Sequence, residues 1–211
     1  MNLPTTPYSR YEEGLPQEGN WILGHRTGSS IFVYQAFNDR IADHAVQHQR
    51  FGGPHYSFSR MTWIKPNFLW MMYRCGWGAK DANQTRVLAI EMTFSGFEEL
   101  LAQGVSTVPH PFHGDEAQWR QQLDRSDVRL QWDPDHDFSG AKLQRRAIQI
   151  GIKNKALEEF NERHIQSIQD ITDFVKEQKK IIDAEGNSFL VVQERIIEVN
   201  NALRERFGIP G

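Results

Sequence analysis

Arg60-Met-Thr-Trp63-Ile-Lys65-Pro66-Asn-Phe-Leu-Trp70-Met-Met-Tyr73-Arg74-Cys75-Gly76-Trp77-Gly-Ala-Lys80 reads as the end of a strand running into a buried helix. From Tyr56 to Ile64 the residues alternate like a strand: Tyr56, Phe58, Arg60, Thr62 and Ile64 fall on one face, Ser57, Ser59, Met61, Trp63 and Lys65 on the other. Pro66 suits the first turn of a helix and Gly76 its C-terminal cap. The residues between them are apolar nearly all round, which places that helix inside the protein. Three of the six tryptophans in the chain lie in this stretch, interleaved with Arg60, Lys65, Arg74 and Lys80. Indole faces stack on rings, and guanidinium or ammonium groups hold phosphate or carboxylate, so the combination suggests a pocket for a nucleotide, a phosphate or a nucleic-acid base.

Working outward, Ile31-Phe-Val-Tyr-Gln-Ala-Phe37 is β-branched and aromatic on both alternating faces, the pattern of a central strand covered on both sides. Asn38 caps a helix predicted over 39–50, with Ile41, Ala42, Ala45 and Val46 as its apolar stripe. Further strands are predicted over 86–92, 128–132, 146–152 and 165–168. Helices are predicted over 95–101 (opened by a capping box at Ser95), 115–124 and 155–163. Residues 1–20, rich in Pro, Gly and Glu, read as an extended lead-in, and 21–169 as the core domain. In 170–211, a charged helix over 172–183 precedes a stripe of Phe189, Val192, Ile196, Val199, Leu203 and Phe207 at helical spacing, which predicts a C-terminal helical hairpin packed on the core or on a partner subunit as a homodimer contact. The fold class expected is α+β, a mixed central β-sheet flanked by helices.

The chain has 211 residues, 39% of them hydrophobic and 24% charged, with a net charge of −3, so it is not a generally basic nucleic-acid coater. Cys75 is the sole cysteine, which excludes an intrachain disulfide and points to a cytoplasmic setting. The N-terminus carries no secretory pattern, and no apolar run is long enough for a membrane span. Walker loop, Gly-x-Ser-x-Gly and Gly-x-Gly-x-x-Gly patterns do not occur.

Tyr34-Gln-Ala-Phe37, the run Arg60 to Trp77, Gln131-Trp-Asp-Pro-Asp-His-Asp137 and Ile148-Gln-Ile-Gly151 occur in that order. Together they resemble the family filed as domain of unknown function 4291, over roughly residues 20–175. The resemblance implies no activity, and the tail after residue 175 looks longer than the family pattern.

The site residues expected from the sequence are therefore Arg60, Trp63, Lys65, Arg74, Trp77, Lys80 and Arg146 for a nucleotide or phosphate, with Asp133 or Asp137 (and Arg60) in a catalytic role. Phe68, Leu69, Met71 and Met72 are assigned to the core, and Cys75 to a buried small hydrophobe. Asp133-Pro-Asp135-His-Asp137 resembles a calcium loop, but Phe138 stands where that loop needs glycine. A turn with capping aspartates is the better reading, and no metal is assigned. His44 and His48, one turn apart, read as a solvated helix face, and His110 and His113 as loop residues. The function expected is nucleotide handling with group transfer, on NAD or another nucleotide, with nucleic acid as a further partner. Tyr56-Ser-Phe-Ser-Arg60 looks a little like the serine-bearing strand of ADP-ribosyltransferases, without their Glu-x-Glu partner. The alternatives are a non-catalytic nucleotide- or nucleic-acid-binding module and a structural or regulatory oligomer.

Overall fold

The computed structural model describes residues 3–210, which run through thirteen strands and eight α-helices. In order these are β1 (Thr5–Pro7), α1 (Tyr8–Tyr11), β2 (Glu18–Asn20), β3 (Leu23–Gly24), β4 (Arg26–Thr27), β5 (Ser30–Phe37) and α2 (Asp39–His48). Next come β6 (Thr62–Ile64), α3 (Phe68–Cys75), β7 (Arg86–Thr93), α4 (Phe94–Gln103) and β8 (Val105–Ser106). A 3-10 turn at Pro111–His113 leads to α5 (Glu116–Arg125), β9 (Val128–His136), β10 (Lys142–Ile152) and α6 (Asn154–Glu159). A π-helical turn at Phe160–His164 is followed by β11 (Ile165–Asp170), α7 (Thr172–Glu185), β12 (Leu190–Val192), β13 (Arg195–Ile196) and α8 (Asn201–Phe207). The fold is α+β.

The doubly apolar pattern of β5 has a direct cause. It lies inside the antiparallel sheet β11-β7-β5-β4. Ile31 and Val33, with Leu88, Ile90 and Met92 of β7, face a first core shared with α2, α4 and α8. Phe32 and Tyr34, with Val87 and Ala89, face a second core formed by α3, α7 and β12. A second, mixed sheet is built on the long β10. One edge of β10 carries β9, extended by a parallel pairing to β8; the other edge takes β2 in parallel and then β6 antiparallel. Val128 and Leu130 of β9 and Ile148, Ile150 and Ile152 of β10 turn to the first core, so the opposite face of this sheet is left for polar side chains.

Local signals set the helix ends. Asn38 accepts from the Ile41 amide at 3.2 Å to cap α2, and Asn67 accepts from the Trp70 amide at 2.6 Å to cap α3. Gly76 closes α3 in the left-handed region at φ 57°. Pro66 therefore stands just outside α3 and not in its first turn. The capping box expected at Ser95 is replaced by Thr93, whose hydroxyl accepts from the Gly96 amide at 3.2 Å.

Three further expectations change. The segment from Tyr56 to Met61 is irregular around a turn at Phe58 and Ser59, and only Thr62–Ile64 forms a strand, where it pairs with β10. The lead-in carries α1 and two short strands: β1 pairs with β12, and Leu3 and Tyr11 are buried in the second core. The stripe from Phe189 to Phe207 is not one helix. Phe189, Val191 and Val192 enter the second core on an extended segment, while Val199 just before α8 and Leu203 and Phe207 on α8 enter the first core. Its apolar side chains thus cover the chain's own sheets, leaving Ile196 as a partly exposed member. Helical spacing and the spacing of an extended segment followed by a helix coincide over so short a run.

Two buried ionisable groups tie the terminal segments to this frame. Arg145, 1% exposed, donates to Asp135 through Nε at 2.7 Å and to both Glu12 oxygens at 2.7 and 2.9 Å. Glu194 accepts from the Tyr11 hydroxyl at 2.6 Å and from the Phe68 amide at 2.7 Å, which joins the tail to the start of α3. Burial pushes the Glu194 carboxyl up to about 8.

Arg145→Met leaves Asp135 and Glu12 without their counter-charge and is expected to cost about 3–5 kcal/mol in denaturant unfolding; a cost below about 1 kcal/mol would mean that this ion triad does not hold the lead-in. Between the ordinary carboxyl value and about 8, the folded chain holds the Glu194 proton and the unfolded chain does not. Stability from this group is present at low pH and lost as pH rises through that window, on the order of 1 kcal/mol per pH unit. Glu194→Gln, which mimics the neutral acid, is expected to flatten the decline measured by thermal unfolding across that window.

Candidate functional site

The polar face of the mixed sheet, the turns before β6 and one side of α3, from Trp70 to Arg74, enclose a cleft of about 800 Å³. Lys65 is placed there by backbone bonding. It follows β6 directly and pairs with Tyr34 of β5 in an isolated bridge: the Tyr34 amide donates to the Lys65 carbonyl at 2.7 Å and the Lys65 amide to the Tyr34 carbonyl at 3.2 Å. The side chain is 4% exposed, and its ammonium has one hydrogen-bond partner among the described residues, the Trp63 carbonyl at 3.2 Å. Burial, reinforced by the nearby Arg74 charge, brings the Lys65 amine down to about 7; the Asp133 charge pulls the other way.

Asp133 stands on β9 across from Ala147 of β10. Gln131 and Gln149, paired with each other two residues along their strands, each donate a side-chain amide to Asp133 at 2.7 Å, one to each carboxylate oxygen. The carboxylate is thus fixed in orientation by two neutral donors, with no cation from the described residues bound to it. Trp63 forms a wall. Its ring lies against Gly151 of β10, where an added Cβ would sit 3.0 Å from the indole and 2.7 Å from the Met61 sulfur, so this position needs glycine for the ring to approach the strand. Gln35 holds the same segment from β5, donating to the Thr62 hydroxyl at 2.7 Å and the Trp63 carbonyl at 3.3 Å.

Arg60 and Arg74 are exposed residues lining the same cleft, and neither side chain makes an ion pair or hydrogen bond among the described residues. Arg86, by contrast, is shared among Asp39, Asp43 and Asp170. Polar atoms without a partner among the described residues also collect here: Gln35 Oε1, Tyr56 Oη, Trp70 Nε1 and Gln84 Oε1 all belong to cleft-lining residues. A cleft of this size, with free guanidinium groups and unfilled hydrogen-bonding capacity, is suited to a polar, anionic small molecule carrying a ring.

Five of the sequence-selected residues line the cleft: Arg60, Trp63, Lys65, Arg74 and Asp133. The other four do not. Trp77 is buried in the second core, edge-on to Phe68 and Phe189, and that packing holds it at a left-handed φ of 56°. Lys80 is exposed, with Nζ 5.8 Å from the centroid of the Tyr73 ring. Asp137 accepts from the Ser139 and Ala141 amides and organises its turn. Arg146 is exposed and donates to the Trp132 carbonyl at 3.0 Å; one residue out of step with Ala147 and Gln149, it projects from the opposite face of the strand to Asp133 and Gln149. The cleft glutamines lie outside the sequence-selected set. Gln35 is a strongly polar residue inside the apolar and aromatic run 31–37, and Gln131 and Gln149 share the strand parity of Asp133, which are the signals that mark them.

The chain belongs to the family described as a domain of unknown function, DUF4291, whose sequence model spans residues 21–197. The match runs through α7, β12 and β13, further than the motifs alone implied. No curated protein matches the chain. No helix among the described residues is long and apolar enough to cross a membrane.

Observed by NMR through its Cε and Nζ resonances, Lys65 is expected to titrate near pH 7, with the midpoint rising in Arg74→Gln as the opposing cation is removed. A midpoint near the ordinary lysine value would contradict this placement of the amine.

Proposed function

We propose that the cleft binds a nucleotide and that the protein transfers a group from it. The observation that carries this reading is the pairing of two guanidinium groups without a partner among the described residues, Arg60 and Arg74, with a buried amine, Lys65, and an oriented carboxylate, Asp133, around one opening. Planar forks suit phosphate oxygens, and the Trp63 indole offers a face for a base or nicotinamide ring. The amide side chains of Gln35, Gln84, Gln131 and Gln149 supply donors and acceptors for a ring edge or ribose.

A purely binding role leaves the burial of Lys65 unexplained, because a lysine kept to hold phosphate gains nothing from an environment that disfavours its charge. Nucleic acid enters this reading as the group acceptor at the exposed mouth beside Arg60 and Arg74. The likeness to ADP-ribosyltransferases has less to rest on, because Tyr56–Arg60 is irregular and not a strand.

Calorimetric titration of the folded protein with ATP, GTP and NAD tests the reading. Binding of at least one is expected, weakened by about 1.5–3 kcal/mol in Arg60→Ala or Arg74→Ala, roughly 10- to 100-fold in Kd, and reduced by added salt. No heat with any nucleotide, or unchanged affinity in both variants, would remove it.

A further inference from the structure

We propose that Lys65 is a nucleophile that takes up a nucleotidyl group, so that the protein works through a covalent lysyl–nucleotide intermediate formed from a nucleotide bearing a phosphoanhydride bond at its α-phosphorus. This rests on the nucleotide reading of the cleft and names the chemistry of that same site.

A lysine ammonium carries three N–H donors. Lys65 Nζ, in a side chain 4% exposed, has one acceptor among the described residues, the Trp63 carbonyl at 3.2 Å, and no carboxylate in ion-pair contact. A neutral amine with one N–H so placed keeps a free lone pair, which the ammonium lacks. The brought-down titration of the group agrees with that geometry. Burial beside a second cation is a general way to activate a lysine nucleophile.

Position supplies the rest. Paired backbone hydrogen bonds to Tyr34, and the rigid ring of Pro66 that follows in the chain, fix the Lys65 stem, so the amine is presented from the cleft wall and not from a mobile loop. Arg60 and Arg74 line the same opening and are free to hold the phosphates beyond the attacked atom. Asp133, held by Gln131 and Gln149, is a carboxylate of the cleft that can accept a proton.

The step balances without an external oxidant or reductant. The Nζ lone pair forms a P–N bond to the α-phosphorus as the bond from that phosphorus to the bridging anhydride oxygen breaks. The leaving group departs with the bonding electron pair: pyrophosphate from a nucleoside triphosphate, or nicotinamide mononucleotide from NAD. The surplus proton of the nitrogen passes to Asp133. An acceptor oxygen then attacks the same phosphorus and the P–N bond breaks. Asp133 returns its proton to the departing Lys65 nitrogen, and where the acceptor is a hydroxyl its own proton leaves to solvent. The two donor classes share the phosphoanhydride, and labelling distinguishes them.

The 211-residue chain is incubated with each α-labelled ribonucleoside triphosphate with magnesium, and separately with NAD labelled in its AMP half. Expected is a covalent adduct of one nucleoside monophosphate per chain, stable to base and labile to acid, mapped by peptide mass spectrometry to Lys65. It should be discharged by pyrophosphate if a triphosphate is the donor, or by nicotinamide mononucleotide if NAD is. Adduct formation should fall with pH below about 7 as the amine protonates. In Lys65→Met, shown to be folded by circular dichroism, labelling is lost while calorimetric binding of the nucleotide persists. Nucleotide binding to the wild-type chain with no adduct from any donor, or an adduct on another residue, overturns this inference and leaves the nucleotide reading intact. Absence of binding by all of them overturns both. Because mapping is done on the wild-type chain, the test stands even where Lys65→Met fails to fold.

Discussion

The two hydrogen bonds between Tyr34 and Lys65 join the antiparallel sheet to the end of β6, and through β6 to the mixed sheet on β10. Where the two sheets meet, the chain must pass from an extended strand into the α3 helix, and the residue at that joint is a lysine. Its backbone is saturated by Tyr34, and its side chain lines the cleft over the polar face of the mixed sheet. The chemistry of the cleft follows from that constraint: an amine desolvated by the joint, in a cleft shared with a carboxylate and two arginines that the core does not need.

Charge is handled differently elsewhere in the molecule. Arg145 is buried and fully engaged by Asp135 and Glu12, and Arg86 is surrounded by three aspartates. These buried or half-buried cations are given counter-charges, as desolvation requires. Lys65 is buried without one among the described residues, and Arg60 and Arg74 stand unpaired at the same opening. A structural lysine at this depth would be expected to share an ion pair. Its departure from that rule falls in a cleft, which is where unsatisfied groups carry functional meaning.

The doubly apolar 31–37 segment is legible in the sequence as a strand sandwiched between two cores. Asn38 and Gly76 mark helix ends because a side-chain cap and a left-handed closure each suit few residue types. The aromatic-basic run points to the cleft, because indoles beside cations rarely serve packing alone. Trp77 and Lys80 share that composition but lie past the helix end, where Gly76 turns the chain back into the second core. Arg146 differs from Arg145 by one residue, and the parity of the strand sends the two to opposite faces; the bulge between Lys142 and Arg146 hides that parity from a reading of alternation. The tail deceives a local reading because its extended residues and its last helix reproduce a helical spacing by coincidence. The capture of β12 by β1 is a long-range pairing that local pattern does not encode.

The most direct measurement is a crystal structure of the protein with a non-hydrolysable nucleotide that survives contact with the amine, such as an α,β-methylene triphosphate. Phosphate oxygens held by Arg60 and Arg74, with the α-phosphorus facing Lys65 Nζ and the base against Trp63, are the expected result. A nucleotide bound elsewhere on the chain, or one in the cleft with its phosphates turned away from Lys65, would contradict the central role given to that residue.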